Sequence, residues 1–423
     1  MKKELLEKIF NLQKNLIIEG GISSGKTSNV LFPVALNAIS KNESLLILDS
    51  KEEYVKRLSE ELKNKNYNTI ILNLRDMENS DGFNPLEYPY NLYKSGRVDD
   101  AVEFLERIGK TLFYEKDAID PFWTNAASDL FIGIALSLFE DANYDEINFD
   151  SINEILGNAE NREVLTDYFN SKGLRSKARI FASTTVLAPT DTRLSILSVA
   201  KQRMRLFSSR EKLSKLLYKT TFNFEDVVSK PTAIFVITKD ENKTFSGIAT
   251  MFIEQLYGFL LRNKVNGKFH FILDNFNSIE ICNDLVDILD SCIARNIRVY
   301  IATRSLEEQE KVYGSYLLKL CDLLFIKNDK VKLVVDDIEE VYDKDFENID
   351  TYKGNFTYPH LQDREIKTFD FLRFVNELRI KKINLMGGNN KDENIPVDAL
   401  IKRIDEKLEE IEKIGQVENN NKE

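Results

Sequence analysis

The stretch Gly20-Gly21-Ile22-Ser23-Ser24-Gly25-Lys26-Thr27 directly follows the apolar run Leu16-Ile17-Ile18. Its spacing is that of a P-loop, in which glycines let the chain wrap around phosphate and backbone N–H groups point at the phosphate oxygens. In such a loop Lys26 reaches the β- and γ-phosphates, and the Thr27 hydroxyl ligates Mg²⁺. All eight residues are therefore candidate nucleotide-binding residues. The alternative is a Gly/Ser-rich surface turn.

The bulk composition limits the other functions open to this chain. Its 423 residues carry a net charge of −11, so any contact with nucleic acid must be local rather than due to overall charge. The three cysteines are scattered, which favours buried apolar positions in a reducing cytosol over disulfides or a metal site. Only two histidines are present, so a His-based metal or acid–base centre is disfavoured.

No segment has the pattern of a signal peptide or of a membrane span. The N-terminus becomes amphipathic within its first residues. The longest apolar stretch, from Phe122 to Phe139, is interrupted by Asn125 and Asp129. A membrane span needs a longer unbroken run, so we predict a buried helix here.

Short apolar runs bounded by turn residues recur along the chain and predict strands buried on both faces. They alternate with helix-length amphipathic segments, which favours an α/β fold with a mostly parallel sheet. The runs are Leu16–Ile18, Leu45–Leu48, Thr69–Leu72, Ala233–Ile237, Phe269–Leu273, Val299–Ile301 and Leu323–Ile326. Between about Asn91 and Leu217 the pattern is helical throughout, which predicts an all-helical domain inserted into the α/β domain.

These patterns divide the chain into an α/β domain, its helical insert and a C-terminal extension. Near the end, Val397, Ile401, Ile404, Leu408 and Ile411 form a short heptad seam. The predicted units are the first part of the α/β domain at 1–90, the helical insert at 91–217, the second part at 218–386, a linker at 387–394, a helix at 395–414 and a disordered tail at 415–423.

The run Phe271-Ile272-Leu273-Asp274 has the form of a Walker B strand that ends in an acid. We expect Asp274 to lie near the P-loop and to hold the Mg²⁺ together with Thr27. The alternative is that Asp274 only begins a loop. The next position usually carries the glutamate that polarises the attacking water, but here it is Asn275. Since an amide accepts no proton, general-base catalysis at this position is lost and hydrolysis is expected to be weak.

Four further residues are candidates for the nucleotide site. Asp49 and Lys51 follow the second predicted strand, and ligands bind at the carboxyl ends of strands in open α/β sheets. An ordinary strand-exit turn is the alternative. Arg304 follows the predicted strand at Val299–Ile301, where ring ATPases place a polar sensor. Arg295 could be an arginine finger that reaches a neighbouring subunit's γ-phosphate, or a solvated arginine at a helix end.

A basic stretch lies inside the predicted helical domain. From Lys172 to Lys215 there are eleven Lys/Arg residues and only two acids, although the whole chain is acidic. Such a patch is typical of contacts with a nucleic-acid backbone, and a solvated charged surface is the alternative. The candidate nucleic-acid contacts are Lys172, Arg175, Lys177, Arg179, Arg193, Lys201, Arg203 and Arg205.

Taken together and in order, these motifs resemble those of the type IV coupling proteins, the TraG/TraD-like conjugative DNA-transfer ATPases. The resemblance covers most of the chain. Each motif by itself is weak evidence for the family, except the P-loop. The matching stretches are Gly20–Thr27, Leu46–Glu52, Phe83–Leu86, Asp120–Trp123, Ser195–Phe207, Lys230–Ile237, Phe252–Tyr257, Phe271–Asp274, Tyr313-Gly314 and Val397–Glu412.

The resemblance implies a RecA-like P-loop domain that carries an all-helical domain. It further implies a hexameric ring that uses ATP and Mg²⁺ to move single-stranded DNA, bound to its relaxase, into the channel proteins of a type IV secretion system. Three features depart from the family: Asn275 replaces the glutamate, Arg304 replaces a glutamine, and the N-terminal membrane anchor is expected to be absent. The expected location is the cytoplasm, or the inner face of the cell membrane as a peripheral protein.

Two functions of different classes remain open. The first is an active motor, which the retained Asp274 and Arg295 favour. The second is a non-hydrolysing, nucleotide-gated adaptor subunit of the same kind of system, which Asn275 favours. A small-molecule kinase is a distant third, because nothing outside the P-loop indicates an acceptor site.

Overall fold

A computed structural model describes residues 3–115, 118–239, 244–265, 267–279, 285–344 and 356–386. The predicted linker at 387–394, the C-terminal helix at 395–414 and the tail at 415–423 lie outside the described residues. Within them, Cys292 and Cys321 are buried free thiols, as the sequence predicts.

A nine-stranded, mostly parallel sheet organises the fold, which confirms the predicted fold class. Every apolar run predicted as a strand lies in this sheet. The strands are β1 (Asn15–Gly20), β2 (Ser44–Asp49), β3 (Asn68–Asn73), β4 (Thr232–Ile237), β5 (Phe269–Leu273), β6 (Ile297–Thr303), β7 (Cys321–Lys327), β8 (Lys330–Val335) and β9 (Ile338–Asp343). Their order is β3-β4-β2-β5-β6-β1-β7-β8-β9. The first seven pair in parallel, and β8 and β9 extend the sheet as an antiparallel hairpin that the sequence patterns did not predict.

Helices cover both faces of the sheet. In the described residues they are α1 (Lys3–Asn11), α2 (Phe32–Ser40), α3 (Tyr54–Asn64), α4 (Glu87–Lys94), α5 (Val98–Phe113), α6 (Phe122–Asp141), α7 (Phe149–Asn158), α8 (Arg162–Ser171), α9 (Lys177–Leu187), α10 (Thr190–Ser208), α11 (Glu211–Tyr218), α12 (Phe224–Ser229), α13 (Ser246–Arg262), α14 (Leu285–Cys292), α15 (Leu306–Tyr313), α16 (Tyr316–Lys319) and α17 (Phe371–Met386).

The two faces of the sheet belong to different hydrophobic cores. Side chains alternate across a strand, so in β2 Leu45 and Ile47 join the core under α1–α3. Leu46 and Leu48 join the larger core, which continues without a break into helices α5–α11. A single hydrophobic core joins this face of the sheet to the helices, so burial does not mark a boundary between the two. The predicted helical domain at 91–217 therefore stays a prediction. Along the chain, helices α4–α12 all follow β3 and precede β4.

Helix α6 forms the centre of the helical region. It is the one helix among the described residues that is long and apolar enough to cross a bilayer, and 67% of its apolar window is buried in the protein. Its closest packing is against α9, at Gly133. A Cβ atom at Gly133 would lie 2.9 Å from both the Ala178 carbonyl oxygen and the Ala182 nitrogen. The glycine therefore lets the two helix backbones approach.

We expect Gly133→Ala to lower the free energy of unfolding by about 1–3 kcal/mol, because the added methyl must push α9 away from α6. Gly157→Ala in α7 is the matched control, since a Cβ there meets nothing within 4 Å. That change should instead stabilise the protein by up to about 1 kcal/mol, through helix propensity alone. Urea denaturation of both variants measures the difference, and equal effects would contradict the close-packing role of Gly133.

Candidate functional site

The predicted P-loop joins β1 to a π-helical turn at Thr27–Leu31, which continues into α2. Two of its glycines are required by the geometry. A Cβ atom on Gly20 would lie 2.5 Å from the Ser24 hydroxyl oxygen, and Gly25 has a φ angle of +94°. Side chains strongly disfavour such a positive φ, so position 25 needs glycine. At position 20 the reason is steric, because a Cβ atom would displace the Ser24 side chain. The loop therefore has the tight curvature that a phosphate cradle requires.

Lys26 is held against the loop from which it projects. Its ammonium donates hydrogen bonds to the carbonyl oxygens of Gly20 and Gly21, the latter at 2.9 Å. Burial of this half-buried side chain lowers its pKa, and the nearby negative charge of Asp274 acts in the opposite direction. An incoming phosphate can replace the two carbonyls as the acceptor of these hydrogen bonds.

Asp274 lies where the Walker B interpretation predicts, at the end of β5 and in contact with the P-loop. Its Oδ2 accepts a hydrogen bond from the Thr27 hydroxyl at 2.7 Å. The same oxygen accepts another from the hydroxyl of Tyr54, at 3.0 Å. The two residues predicted to hold Mg²⁺ are thus in direct contact, although β6 separates their strands in the sheet. Sequence reasoning missed Tyr54, because no pattern singles out one buried tyrosine.

Asp49 shapes the turn that follows β2. Its buried carboxylate accepts backbone hydrogen bonds from Lys51 and Glu53, both at 3.2 Å, and from Tyr54 at 2.9 Å. Burial raises the pKa of Asp49 to about 6, and the three hydrogen bonds limit the rise. Asp49 thus places the start of α3, and with it Tyr54, beside Asp274.

These elements enclose a cleft of about 370 Å³ at the carboxyl edge of the sheet. Most of the predicted nucleotide-site residues line it, including Asp49, Lys51, Asn275 and Arg304. Asn275 has a left-handed φ of +54° and donates weakly to the Ser50 hydroxyl, at 3.4 Å. Sequence reasoning missed the remaining lining residues, which carry no motif of their own: Ser28, Ser50, Glu53, Ala302 and Thr303.

Arg295 is not brought to this cleft. It lies before β6, at the amino edge of the sheet, and donates to the Ser291 carbonyl at 2.9 Å. A seven-residue strand separates it from Arg304, which corresponds to about 20 Å. Arg295 therefore cannot act on a nucleotide in the cleft of its own subunit.

Two of the eight predicted nucleic-acid contacts are wrong, because the residues are buried. Lys172 is 8% exposed and ion-pairs with Glu140, at 2.9 Å, and with Asp141. Arg193 is 3% exposed, and its guanidinium donates to the carbonyls of Ala159 and Glu160. Both cations tie helices together, so neither offers its charge to a polyanion.

The other six predicted contacts remain at least partly accessible. Three of them form ion pairs: Lys177 with Asp99, Lys201 with Glu160 and Arg203 with Glu115. Arg179 donates to the Lys172 carbonyl, at 3.3 Å. Arg175 and Arg205 are exposed. The patch is therefore weaker than the sequence suggests, because nearby acids from other segments neutralise part of it.

Comparisons with known proteins identify the fold and the family of this chain. No curated protein matches the chain. Among solved structures, the plasmid coupling protein TrwB in complex with the ATP analogue ADPNP has 12% identity and a TM-score of 0.54, over 87% of this chain and 93% of that one. TrwB in complex with ADP and Mg²⁺ has 13% identity and a TM-score of 0.51, over 87% and 94%.

VirB4 of Thermoanaerobacter pseudethanolicus has 10% identity and a TM-score of 0.52, over 79% of this chain and 90% of that one. At these identities the likeness concerns the fold alone, which is a RecA-like P-loop fold. The family described as type IV secretory system conjugative DNA transfer matches residues 7–364. The chain therefore belongs to the family of type IV secretory system conjugative DNA-transfer proteins, the type IV coupling proteins.

Proposed function

We propose that this protein binds and hydrolyses ATP as the coupling ATPase of a conjugative type IV secretion system. The observation that carries the proposal is the contact between Thr27 and Asp274 at the floor of a cleft whose rim holds Lys26. A hydroxyl and a carboxylate in contact beside a phosphate-binding loop are the ligands that Mg²⁺ takes together with nucleotide phosphates.

The residues present fit both ATP and Mg²⁺. Thr27 and Asp274 would hold the ion, and Lys26 with the backbone N–H groups of the loop would hold the phosphates. When bound, Mg²⁺ supplies positive charge that neutralises the phosphate oxygens. Arg304 adds a further positive charge where β6 ends. In the described residues no group of three or more His, Cys, Asp or Glu side chains could hold a metal ion.

The family supports a role in DNA transfer, and the partners proposed here are single-stranded DNA with its relaxase and the channel proteins. A hexameric ring, in the cytoplasm or at the inner face of the cell membrane, would bring neighbouring subunits together. In such a ring Arg295, which lies outside its own cleft, could serve a neighbour's cleft. That role requires an interface at the amino edge of the sheet.

A second function is favoured by Asn275, which supplies no base next to Asp274. In that case the chain is a nucleotide-gated adaptor that binds ATP without turning it over. Steady-state ATP turnover, with and without single-stranded DNA, separates the two functions. Turnover that rises with DNA supports the motor. Nucleotide binding without turnover under either condition contradicts the motor and leaves the adaptor.

We expect the accessible part of the basic patch to bind single-stranded DNA in a salt-dependent manner. Reversing Lys177, Arg179 and Arg203 to Glu together should weaken binding at least tenfold. It should also reduce the slope of log Kobs against log salt by about 2, since each phosphate contact on a single strand contributes about 0.7. Fluorescence anisotropy at several salt concentrations measures both quantities.

The matched control reverses Lys63, Lys230 and Lys311, three exposed lysines outside the patch. It changes the net charge by the same amount and should leave the salt slope unchanged. ATP binding should be unaffected in both triple variants. Equal losses of DNA affinity in the two variants would show that overall charge, and not this patch, is responsible.

A further inference from the structure

Glu53 is the one acidic residue of the cleft whose carboxylate is not already engaged by the described part of the protein. Three acidic residues line the cleft: Asp49, Glu53 and Asp274. Asp49 accepts three backbone hydrogen bonds. Asp274 accepts the hydroxyls of Thr27 and Tyr54. No hydrogen bond or ion pair involves the Glu53 carboxylate within the described residues, although its own N–H donates to Asp49.

The turn after β2 directs Glu53 and its neighbour Glu52 to different places. Glu52 has a left-handed φ of +58°, which reverses the course of the chain between the strand and α3. Its carboxylate accepts the Tyr358 hydroxyl and pairs with Lys56 at 3.1 Å, outside the cleft. Glu53, the last residue before α3, lines the cleft with Lys26, Asp274 and Asn275. The hydrogen bonds of Asp49 hold this turn in place.

The chemistry of the cleft leaves a role for such a carboxylate. Hydrolysis needs a group that orients the attacking water and accepts its proton, and Asn275 cannot accept one. Glu53 has free oxygens, a fixed backbone position and a place at the wall of the cleft. We propose that Glu53 is the general base of this ATPase, in place of the missing carboxylate at position 275. The proposal rests on the proposed ATP hydrolysis.

In the proposed step the water oxygen forms a bond to the γ-phosphorus, and the bond from that phosphorus to the β,γ-bridging oxygen breaks. ADP leaves with the electron pair of the broken bond, and the proton of the water passes to the Glu53 carboxylate. Protonated Glu53 then returns the proton to solvent. Atoms and charges balance without any further reactant.

The test compares Glu53→Gln with Glu52→Gln, which removes the same charge one residue earlier and outside the cleft. We expect kcat to fall about 100-fold or more in Glu53→Gln, in the range typical of a lost general base. It should stay near the wild-type value in Glu52→Gln. Calorimetry should find ADPNP bound by Glu53→Gln as tightly as by wild type, or more tightly, because a negative charge near the γ-phosphate is gone. The affinity for ADP should not change.

Glu53→Asp and the double variant Glu53→Gln with Asn275→Glu complete the experiment. The shorter carboxylate should retain part of the turnover, and Asn275→Glu should restore much of it, since it returns a carboxylate to the cleft. Wild-type turnover in Glu53→Gln would overturn the proposal, and so would equal losses in the Glu52 and Glu53 variants. Wild-type protein that binds ATP without hydrolysing it overturns this proposal but leaves nucleotide binding intact. Wild-type protein that does not bind ATP overturns the proposed function as well.

Discussion

Lys26→Ala should weaken ATP binding about 100-fold or more while leaving the fold intact. Lys26 contributes a half-buried positive charge that now donates to the carbonyls of Gly20 and Gly21. Removing one partner of a desolvated, hydrogen-bonded charge pair costs about 2–5 kcal/mol of binding, and each 1.4 kcal/mol is a factor of ten in affinity. The loop should keep its conformation, because its backbone geometry depends on Gly20 and Gly25 rather than on Lys26.

Isothermal titration with ATP and Mg²⁺ measures the affinity, and circular dichroism checks the fold. Lys41→Ala is the control, since Lys41 is an exposed lysine just after α2 and does not line the cleft. It should bind ATP as wild type does. Unchanged ATP affinity in Lys26→Ala would show that the nucleotide site has been placed wrongly.

Asn275→Glu should accelerate ATP hydrolysis about tenfold or more. The substitution puts a carboxylate directly after Asp274, where a positioned general base contributes typically 10²–10⁴-fold. Two features reduce the gain. The left-handed φ of +54° suits Asn better than Glu and costs the variant about 1–2 kcal/mol of strain. If Glu53 already acts as the base, Asn275→Glu should raise the hydrolysis rate less in the wild-type background than in Glu53→Gln.

Asn275→Gln is the control, because it has the length of glutamate but cannot accept a proton. It should give no acceleration, and a gain equal to that of Asn275→Glu would assign the effect to side-chain length. Single-turnover measurements report the chemical step directly and separate it from product release. If Asn275→Glu gains nothing in either background, then a carboxylate at position 275 does not act as a general base in this cleft.

The loop and the strands could be predicted because their causes are local. Glycines at fixed spacing, a lysine and a threonine determine a phosphate-binding turn, whatever surrounds it. Apolar runs of strand length, separated by helix-length segments, determine a mostly parallel sheet, and the chain follows them at each of the predicted strands. The antiparallel hairpin of β8 and β9 escaped prediction, because half-exposed edge strands lack the continuous apolar run of a buried one.

The sequence by itself determined the P-loop, the sheet and the missing carboxylate at position 275, since each depends on neighbouring residues in the chain. Only the tertiary structure decided which charges are available, because burial and pairing depend on distant segments. Lys172 appears as a free cation in the sequence but is neutralised by Glu140 and Asp141 on α6. Tyr54 meets Asp274 across 220 residues of chain, and the turn just before Tyr54 places Glu53 in the lining of the cleft.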